Sequence, residues 1–376
     1  MDIVTSRHSA SKKQQITTAP GSQIHEFLLG YGNQHQGART MTMRRAVLAS
    51  LLSGAALLCG SVSKRYAAGT TTALSPVPGT RCTVFPADNV WNAPIDDLPV
   101  NRKSAAWAAS IPGKTLTLGF GPAGGKNYGF PFAIVDNSTP MVSVAISDLA
   151  ESDPGPYPFS SETPIEPYDG GDAHALMINK DTCILYELYD AHWNDGHTKA
   201  ANAVIFDLKS NALISNPSFP TASDDDAGLP LFPGLVRYDE VQAGAIDHAL
   251  RFESSRAYSG GVLWPGTYTP TYLNTLDSDV IWMGSRWRLK KSFDISHYSA
   301  QAQVILAALK KYGMFMSDIG DDWQLDGTLD TEWPQALVKE LATVPSSEFE
   351  AVDESSLMVN PDGRGCTCYC GTAKKR

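Results

Sequence analysis

The sequence is poor in the features that usually identify a catalytic class. It has no His-Glu-x-x-His and no cupin-like pair of metal motifs, so a compact metal signature is missing. It has no Gly-x-Ser-x-Gly, and Ser259-Gly260-Gly261 lacks the strand–turn–helix setting of a serine nucleophile. The glycine-rich stretch Gly119–Gly125 contains a proline and opens no helix, which argues against a phosphate-cradling or dinucleotide loop. Internal repeats and heptads are absent. Cationic side chains are in deficit, with 30 Lys and Arg against 40 Asp and Glu and a net charge of −10. That balance weighs against nucleic acid or an anionic membrane surface as partner, and mildly against a polyanionic substrate. The apolar run Ala46–Leu58 has 13 residues, too few to span a bilayer comfortably.

What is present at that run reads as an export signal. Arg44-Arg45 precede it and small residues follow near Ala67-Ala68. Residues 41–68 are therefore expected to be a signal peptide, Met41 or Met43 the true start, and residues 1–40 an over-extended, disordered N-terminus. A secreted, periplasmic or cell-surface monomer follows, with no stable membrane insertion after cleavage. Cys59 makes a poor lipobox. Beyond the signal, Cys82 and Cys183 stand alone in β-like context and are expected to pair in an oxidising compartment. Cys366, Cys368 and Cys370 belong to a tail, residues 358–376, expected to be disordered.

A Thr/Ser/Pro/Gly-rich linker is read over residues 69–80, and one globular domain over 81–357. Short apolar runs such as Thr115–Leu118, Phe132–Val135, Val142–Ile146, Ala203–Leu208 and Ala245–Phe252 are separated by Gly, Pro, Asn and Asp. This spacing predicts a mainly β fold, a β-sandwich or jelly roll. Two helices are expected late. Ser299–Tyr312 has a serine cap, an apolar stripe, two terminal lysines and Gly313 as its stop, and a second helix follows Pro334 over 334–343. They would form a helical layer, about 291–350, on a β-rich body ending near 290.

The strongest candidate site lies in the stretch 170–193. Two β-type runs, His174–Asn179 and Thr182–Asp190, flank a Lys180-Asp181 turn. Counting outward from that turn pairs Leu176 with Leu185, His174 with Glu187 and Asp172 with Tyr189. One end of the resulting face is apolar. The other gathers two carboxylates, an imidazole and a phenol. Glu187 among aromatic residues would have a raised pKa and suit a general acid, with Asp172, Asp190, Glu151 or Asp153 as the second carboxyl. His174 would orient Glu187, and Tyr189 and Trp193 would line a sugar subsite. Glu151 and Asp153 lie in a proline-stiffened loop that could be held beside the hairpin.

A second region, Gly234–Glu253, carries Arg237, Tyr238, Asp239, Glu240, His248 and Arg251. A strand from Ala245 would put His248 with Ile246, Leu250 and Phe252 on one face, and Arg251 with Glu253 on the other. His248 among three apolar residues reads first as a satisfied core histidine, and second as a base oriented by Asp239 or Glu240. Arg237 and Arg251 could fix a carboxylate or a sugar hydroxyl, and Trp264 adds aromatic surface.

ADNVWN at 87–92, ESDPGPYP at 151–158, YELYDA at 186–191, AGLPLFPGLVRYDEV at 227–241, IDHALRF at 246–252, SFDIS at 292–296 and KKYGM at 310–314 together resemble a family of uncharacterised secreted bacterial proteins. The resemblance implies the domain limits and export. It carries no catalytic residue.

These readings favour a secreted glycoside hydrolase with paired carboxylates acting on a polysaccharide or oligosaccharide. Two alternatives stand beside it: a polysaccharide lyase using His248 or Tyr238 as base with an arginine, and a non-catalytic glycan-binding protein. No cofactor is called for, although a structural calcium on the many Asp and Glu residues is an alternative.

Overall fold

A computed structural model describes residues 74–167, 172–194, 197–214 and 216–358. The expected signal, the N-terminal extension, Cys59 and the C-terminal cysteine tail lie outside the described residues. Strand predominates over helix and the fold is mainly β. Val77 is fully buried and bonds to Cys82 through the backbone, so the folded body includes part of the segment read as linker.

Two sheets dominate. The smaller has four strands: β2 (Phe132–Val135), β3 (Ala175–Asn179), β4 (Ile184–Tyr189) and β5 (Asn202–Asp207), in the spatial order β5-β4-β3-β2. Its alternation is clean. Leu176, Ile178, Leu185, Val204 and Phe206 enter the main core, while Ala175, Met177, Leu188 and Ala203 enter a second core with Tyr157 and Phe159. Both faces are covered, which explains the near-continuous apolar run of β3.

The larger sheet has six strands. They are β1 (Thr117–Leu118), β6 (Leu250–Ser254), β7 (Arg286–Leu289), β8 (Met314–Ile319), β9 (Gln324–Leu325) and β10 (Phe349–Ala351), ordered β1-β9-β6-β8-β7-β10. The β2–β3 and β6–β8 pairs are parallel, whereas a jelly roll is built from antiparallel strands. Residues 291–350 also correct the expected layering. Besides helices they supply β8, β9 and β10, because the apolar run Met314–Met316 follows the helix stop directly and enters the sheet.

Four α-helices are described: α1 (Ser104–Ser110), α2 (Tyr238–Ala243), α3 (Ala300–Lys311) and α4 (Gln335–Leu341). The signals for α3 act as read. Ser299 Oγ accepts from the Ala302 N–H, Ile305, Leu306 and Leu309 are buried, and Gly313 turns at φ 68°. The strand expected from Ala245 begins only at Leu250, because α2 occupies 238–243 and Gly244 closes it in the left-handed region.

Cys82 and Cys183 are joined in a disulfide across 101 residues, as their context led us to expect. Cys183 belongs to the β3–β4 turn, and this turn corrects the hairpin register. Cys183 adopts a φ of 59° and its N–H bonds the Asn179 carbonyl, making a four-residue turn, Lys180–Cys183. The pairing moves by two positions: Leu176 faces Glu187, not Leu185. An even shift keeps every side chain on its expected face. It brings His174 opposite Tyr189, with ring centroids 5.3 Å apart.

No helix among the described residues is long and apolar enough to cross a membrane.

Candidate functional site: an acid cluster around Arg251

The central strand β6 organises the site. Arg251 and Glu253 project from the face opposite Leu250 and Phe252, which fill the core. On one side, β8 breaks register between Phe252 and Glu253, so that Glu253 faces Asp318. This bulge accommodates Ser317 and turns Asp318 onto the Arg251 face. On the other side, Gln324 and Asp326 of the β9 segment reach the same face. Arg251 is fully buried; its Nε donates to Ser317 Oγ at 2.9 Å, Nη1 to Asp326 at 2.7 Å and Nη2 to Asp318 at 3.1 Å. Glu253 stands 4.0 Å from Nη1 and Asp225 3.8 Å from Nη2. A Cβ at position 320 would collide with the Glu253 carboxylate, so the residue there is glycine.

The loop Asp224-Asp225-Asp226 faces this arrangement. Asp225 Oδ1 accepts the N–H groups of Ala227 and Leu229, which fixes the loop as an Asx-type turn. Asp226 hydrogen-bonds to Asp318 and accepts from the Tyr272 hydroxyl. Asp224 is 5% exposed, and neither of its carboxylate oxygens has a hydrogen-bond partner.

The hairpin arrives from the other sheet. Glu187 is fully buried, and its two oxygens accept the N–H groups of Leu231 (3.0 Å) and Phe232 (2.7 Å). It pins the segment after the Asp loop to β4. His174 Nδ1 meets Glu166 at 2.9 Å, and its buried Nε2 has no partner. Phe130 stands between the two sheets' contributions, edge-on to His174 at 5.2 Å and under the Arg251 guanidinium at 5.7 Å. Asp172 is exposed at the hairpin's open end, and its charge reaches both His174 and Tyr189.

Many buried acids round few cations produce strong shifts. Burial pushes Glu187 up to about 7 against the pull of its two N–H donors. Burial, then the Asp318 charge, push Asp226 up to about 9. Burial lifts Asp326 to about 6 although Arg251 opposes it. Asp224, Asp225 and Glu253 are raised well above the carboxylate range, by burial first and by their acidic neighbours second. Burial pulls His174 down, but Glu166, Asp224 and Asp172 outweigh it and hold it at about 9. At neutral pH the cluster is a store of protons.

Asp172, His174, Glu187, Tyr189 and Arg251 are thus brought together. Asp190 adjoins them, but its carboxylate is bonded to His192 at 2.8 Å. The Glu151–Asp153 loop borders the cluster, since the Glu151 carbonyl accepts the Ser223 N–H just before Asp224 and the Asp153 N–H bonds Ala203 of β5, whereas the tryptophans and the Arg237 region lie in other surroundings. Glu151 accepts from Tyr268, and the buried Asp153 holds the Ile205 N–H. Trp193 packs edge-on against Phe159 in the second core, and Trp264 packs on the main core. Arg237, Tyr238 and His248 belong to a different network. His248 meets Glu240 at 3.0 Å, Glu240 meets Arg237 at 2.7 Å, and Tyr238 packs on Trp333. Burial acts to raise Glu240, but His248 and then Arg237 overcome it and leave it lowered.

Asp224, Asp225, Asp226, Asp318, Asp326 and Tyr272 were not legible as site residues. The available signals were three consecutive aspartates directly before the apolar Ala227–Leu235 run, and an apolar strand ending in Asp318. Among the described residues, no three His, Cys, Asp or Glu side chains converge as a metal-holding group. No protein family, curated protein or solved structure matches this chain.

Proposed function

We propose that the protein is an exported glycoside hydrolase whose chemistry is run by the outer edge of the acid cluster. What supports this reading is Asp226, a partly exposed carboxyl bonded by the Tyr272 hydroxyl, which burial and the Asp318 charge push up to about 9. Glycosidic cleavage needs such a proton for the leaving oxygen, and a second carboxylate to act as nucleophile or to activate water. Asp318 touches Asp226 and is too near for that second role, which needs about 5 Å or more. It holds the proton on Asp226 instead. Asp172, exposed and acting on the same Tyr189, is the opposing carboxylate. Glu187 supports the site from behind by fixing the loop after Asp226 through Leu231 and Phe232. The Cys82–Cys183 disulfide supports an oxidising location. Arg251 is buried and engaged by carboxylates, which disfavours a lyase that needs an arginine free to neutralise a uronate.

The test is reducing-end release from a panel of polysaccharides by the wild type, Asp226→Asn and Asp172→Asn. Asn mimics the protonated Asp226, so its fold should survive while kcat drops by about 10²–10⁴. Full activity in Asp226→Asn, or no turnover of any glycan by the wild type, overturns the reading.

A further inference from the structure

The proline-stiffened loop before the hairpin contains the chain's one Asp-Pro bond, Asp153-Pro154. Its aspartate is laid along β5. The Asp153 N–H bonds the Ala203 carbonyl, Ser152 Oγ accepts the Ala203 N–H at 3.1 Å, and Asp153 Oδ2 accepts the Ile205 N–H at 3.0 Å. Asp153 is 3% exposed, and its other oxygen, Oδ1, is buried with no hydrogen-bond partner. The residue's own carbonyl is engaged as well: the loop curls back so that the Tyr157 hydroxyl donates to the Asp153 carbonyl oxygen. Gly155 permits that curl. It turns at φ 83°, and a Cβ there would lie 2.6 Å from the Tyr157 ring. Tyr157 is itself fixed, since it is fully buried and its backbone exchanges both hydrogen bonds with Val142.

Buried carboxyl oxygens are ordinarily hydrogen-bonded, so an unpaired one asks for a reason. Every other polar atom of Asp153 is tied down. The free oxygen belongs to the residue whose carbonyl carbon is joined to a proline nitrogen. That nitrogen carries no hydrogen, so no bond of its own secures it. Pro154 is exposed, so water reaches the junction while the aspartate stays dry. A hydroxyl already aimed at the carbonyl oxygen is placed to stabilise the charge that develops there under attack.

We propose that the protein cuts itself at Asp153-Pro154, with the Asp153 carboxyl as nucleophile and the Tyr157 hydroxyl as donor to the oxyanion. Asp153 Oδ1 bonds to the carbonyl carbon of its own residue and closes a cyclic anhydride. The bond from that carbon to the Pro154 nitrogen breaks. The carboxyl proton passes to the nitrogen, which leaves as a secondary amine. Water then opens the anhydride, giving a carboxyl-terminal Asp153 and an amino-terminal Pro154, and it is the only reagent consumed. Burial raises the Asp153 carboxyl against the pull of the Ile205 N–H, which favours keeping that proton on the acid. The Cys82–Cys183 disulfide spans the cut, so the product is one molecule of two chains. Self-cleavage does not depend on the hydrolase reading.

The test is storage of the purified full chain in mildly acidic buffer, folded or unfolded in guanidinium, followed by intact-mass measurement and gels with and without reductant. The folded protein should convert to two chains that separate only on reduction, their masses together exceeding the parent's by one water. The second chain should begin Pro154-Gly155-Pro156-Tyr157. Orientation by the fold should make the cut at least about tenfold faster than in the unfolded chain. Pro154→Ala, at an exposed position, leaves the Asp153 contacts in place and should slow the cut sharply, because the alanine nitrogen is the poorer leaving group. Tyr157→Phe should slow it by about tenfold or more. A folded chain that stays intact, a folded rate no greater than the unfolded one, or an unchanged rate in either variant overturns the proposal.

Discussion

Arg237 and Arg251 are both fully buried, and each meets carboxylates with a histidine nearby. Around Arg237 the partners come close to balance: two carboxylates, Asp239 and Glu240, against the guanidinium and the His248 ring. Glu240, the more buried acid, is held below its ordinary pKa, while burial still raises Asp239 against the pull of Arg237. Around Arg251 four carboxylates share one guanidinium, with Asp224, Asp226 and Glu187 close behind, and the acids are pushed upward. The same residue types therefore give two outcomes. A balanced buried network fixes geometry. An acid-rich one stores protons that chemistry can use.

The largest expected effect distinguishes the two arginines. Arg251→Met should destabilise by about 3–5 kcal/mol at pH 8, because it strands several buried acids, and should recover much of that at pH 5, where the acids can stay neutral. Urea unfolding at the two pH values measures it. An equally large recovery in Arg237→Met would erase the contrast.

The next effect concerns the wild type. Each raised acid keeps, when folded, a proton that the unfolded chain loses near pH 4, so folding takes up protons above that pH. Stability then falls as pH rises, until the folded values are passed at about 6 for Asp326, 7 for Glu187 and 9 for Asp226. His174 acts with the same sign. Its contribution is complete below its ordinary value of 6.5 and is lost as pH rises through about 9. Melting temperature should decline from pH 5 to pH 9 by the equivalent of a few kcal/mol; a maximum at pH 8 or above contradicts the proton store.

Smaller effects refine the boundary. Glu240→Gln should cost about 1–3 kcal/mol and leave turnover unchanged, since its network lies apart from the acid cluster. A fall in kcat would join the two regions. Smallest is Glu187→Gln. An amide offers one acceptor where two N–H groups wait, which costs about 1 kcal/mol at pH 5. The variant has no proton to lose, so the deficit should vanish by pH 8. A constant deficit across that range would show that Glu187 is ionised throughout.

The local elements were readable because local chemistry fixes them. The cap and stop of α3, the alternation along β3 and β4, and the cysteine pair all announce themselves within a few residues. The hairpin register did not, because it depended on Cys183 entering the left-handed region, and the disulfide that holds it there comes from 101 residues away. The acid cluster was half legible. Asp172, His174, Glu187, Tyr189 and Arg251 stood out as polar groups inside strands. Asp224–Asp226 resembled a solvated loop, since charge runs ordinarily face water. Only the closure of the loop onto Glu187 and Arg251 buries it, and those contacts join segments that are far apart along the chain.

The disulfide also decides how the molecule would bear tension. A pull entering at the N-terminal side of Cys82 passes through the sulfurs to the tip of the β3–β4 hairpin, bypassing every residue between them. Residues 83–182, which hold β1, β2 and β3, would feed no length to a stretched chain, a hidden reserve of about 340 Å at full extension. Under reducing conditions that reserve becomes available, and the same pull unravels the half of the fold that carries Asp172 and His174. A protein tethered by its N-terminus in moving fluid would keep that edge of the site intact only while the two cysteines stay joined.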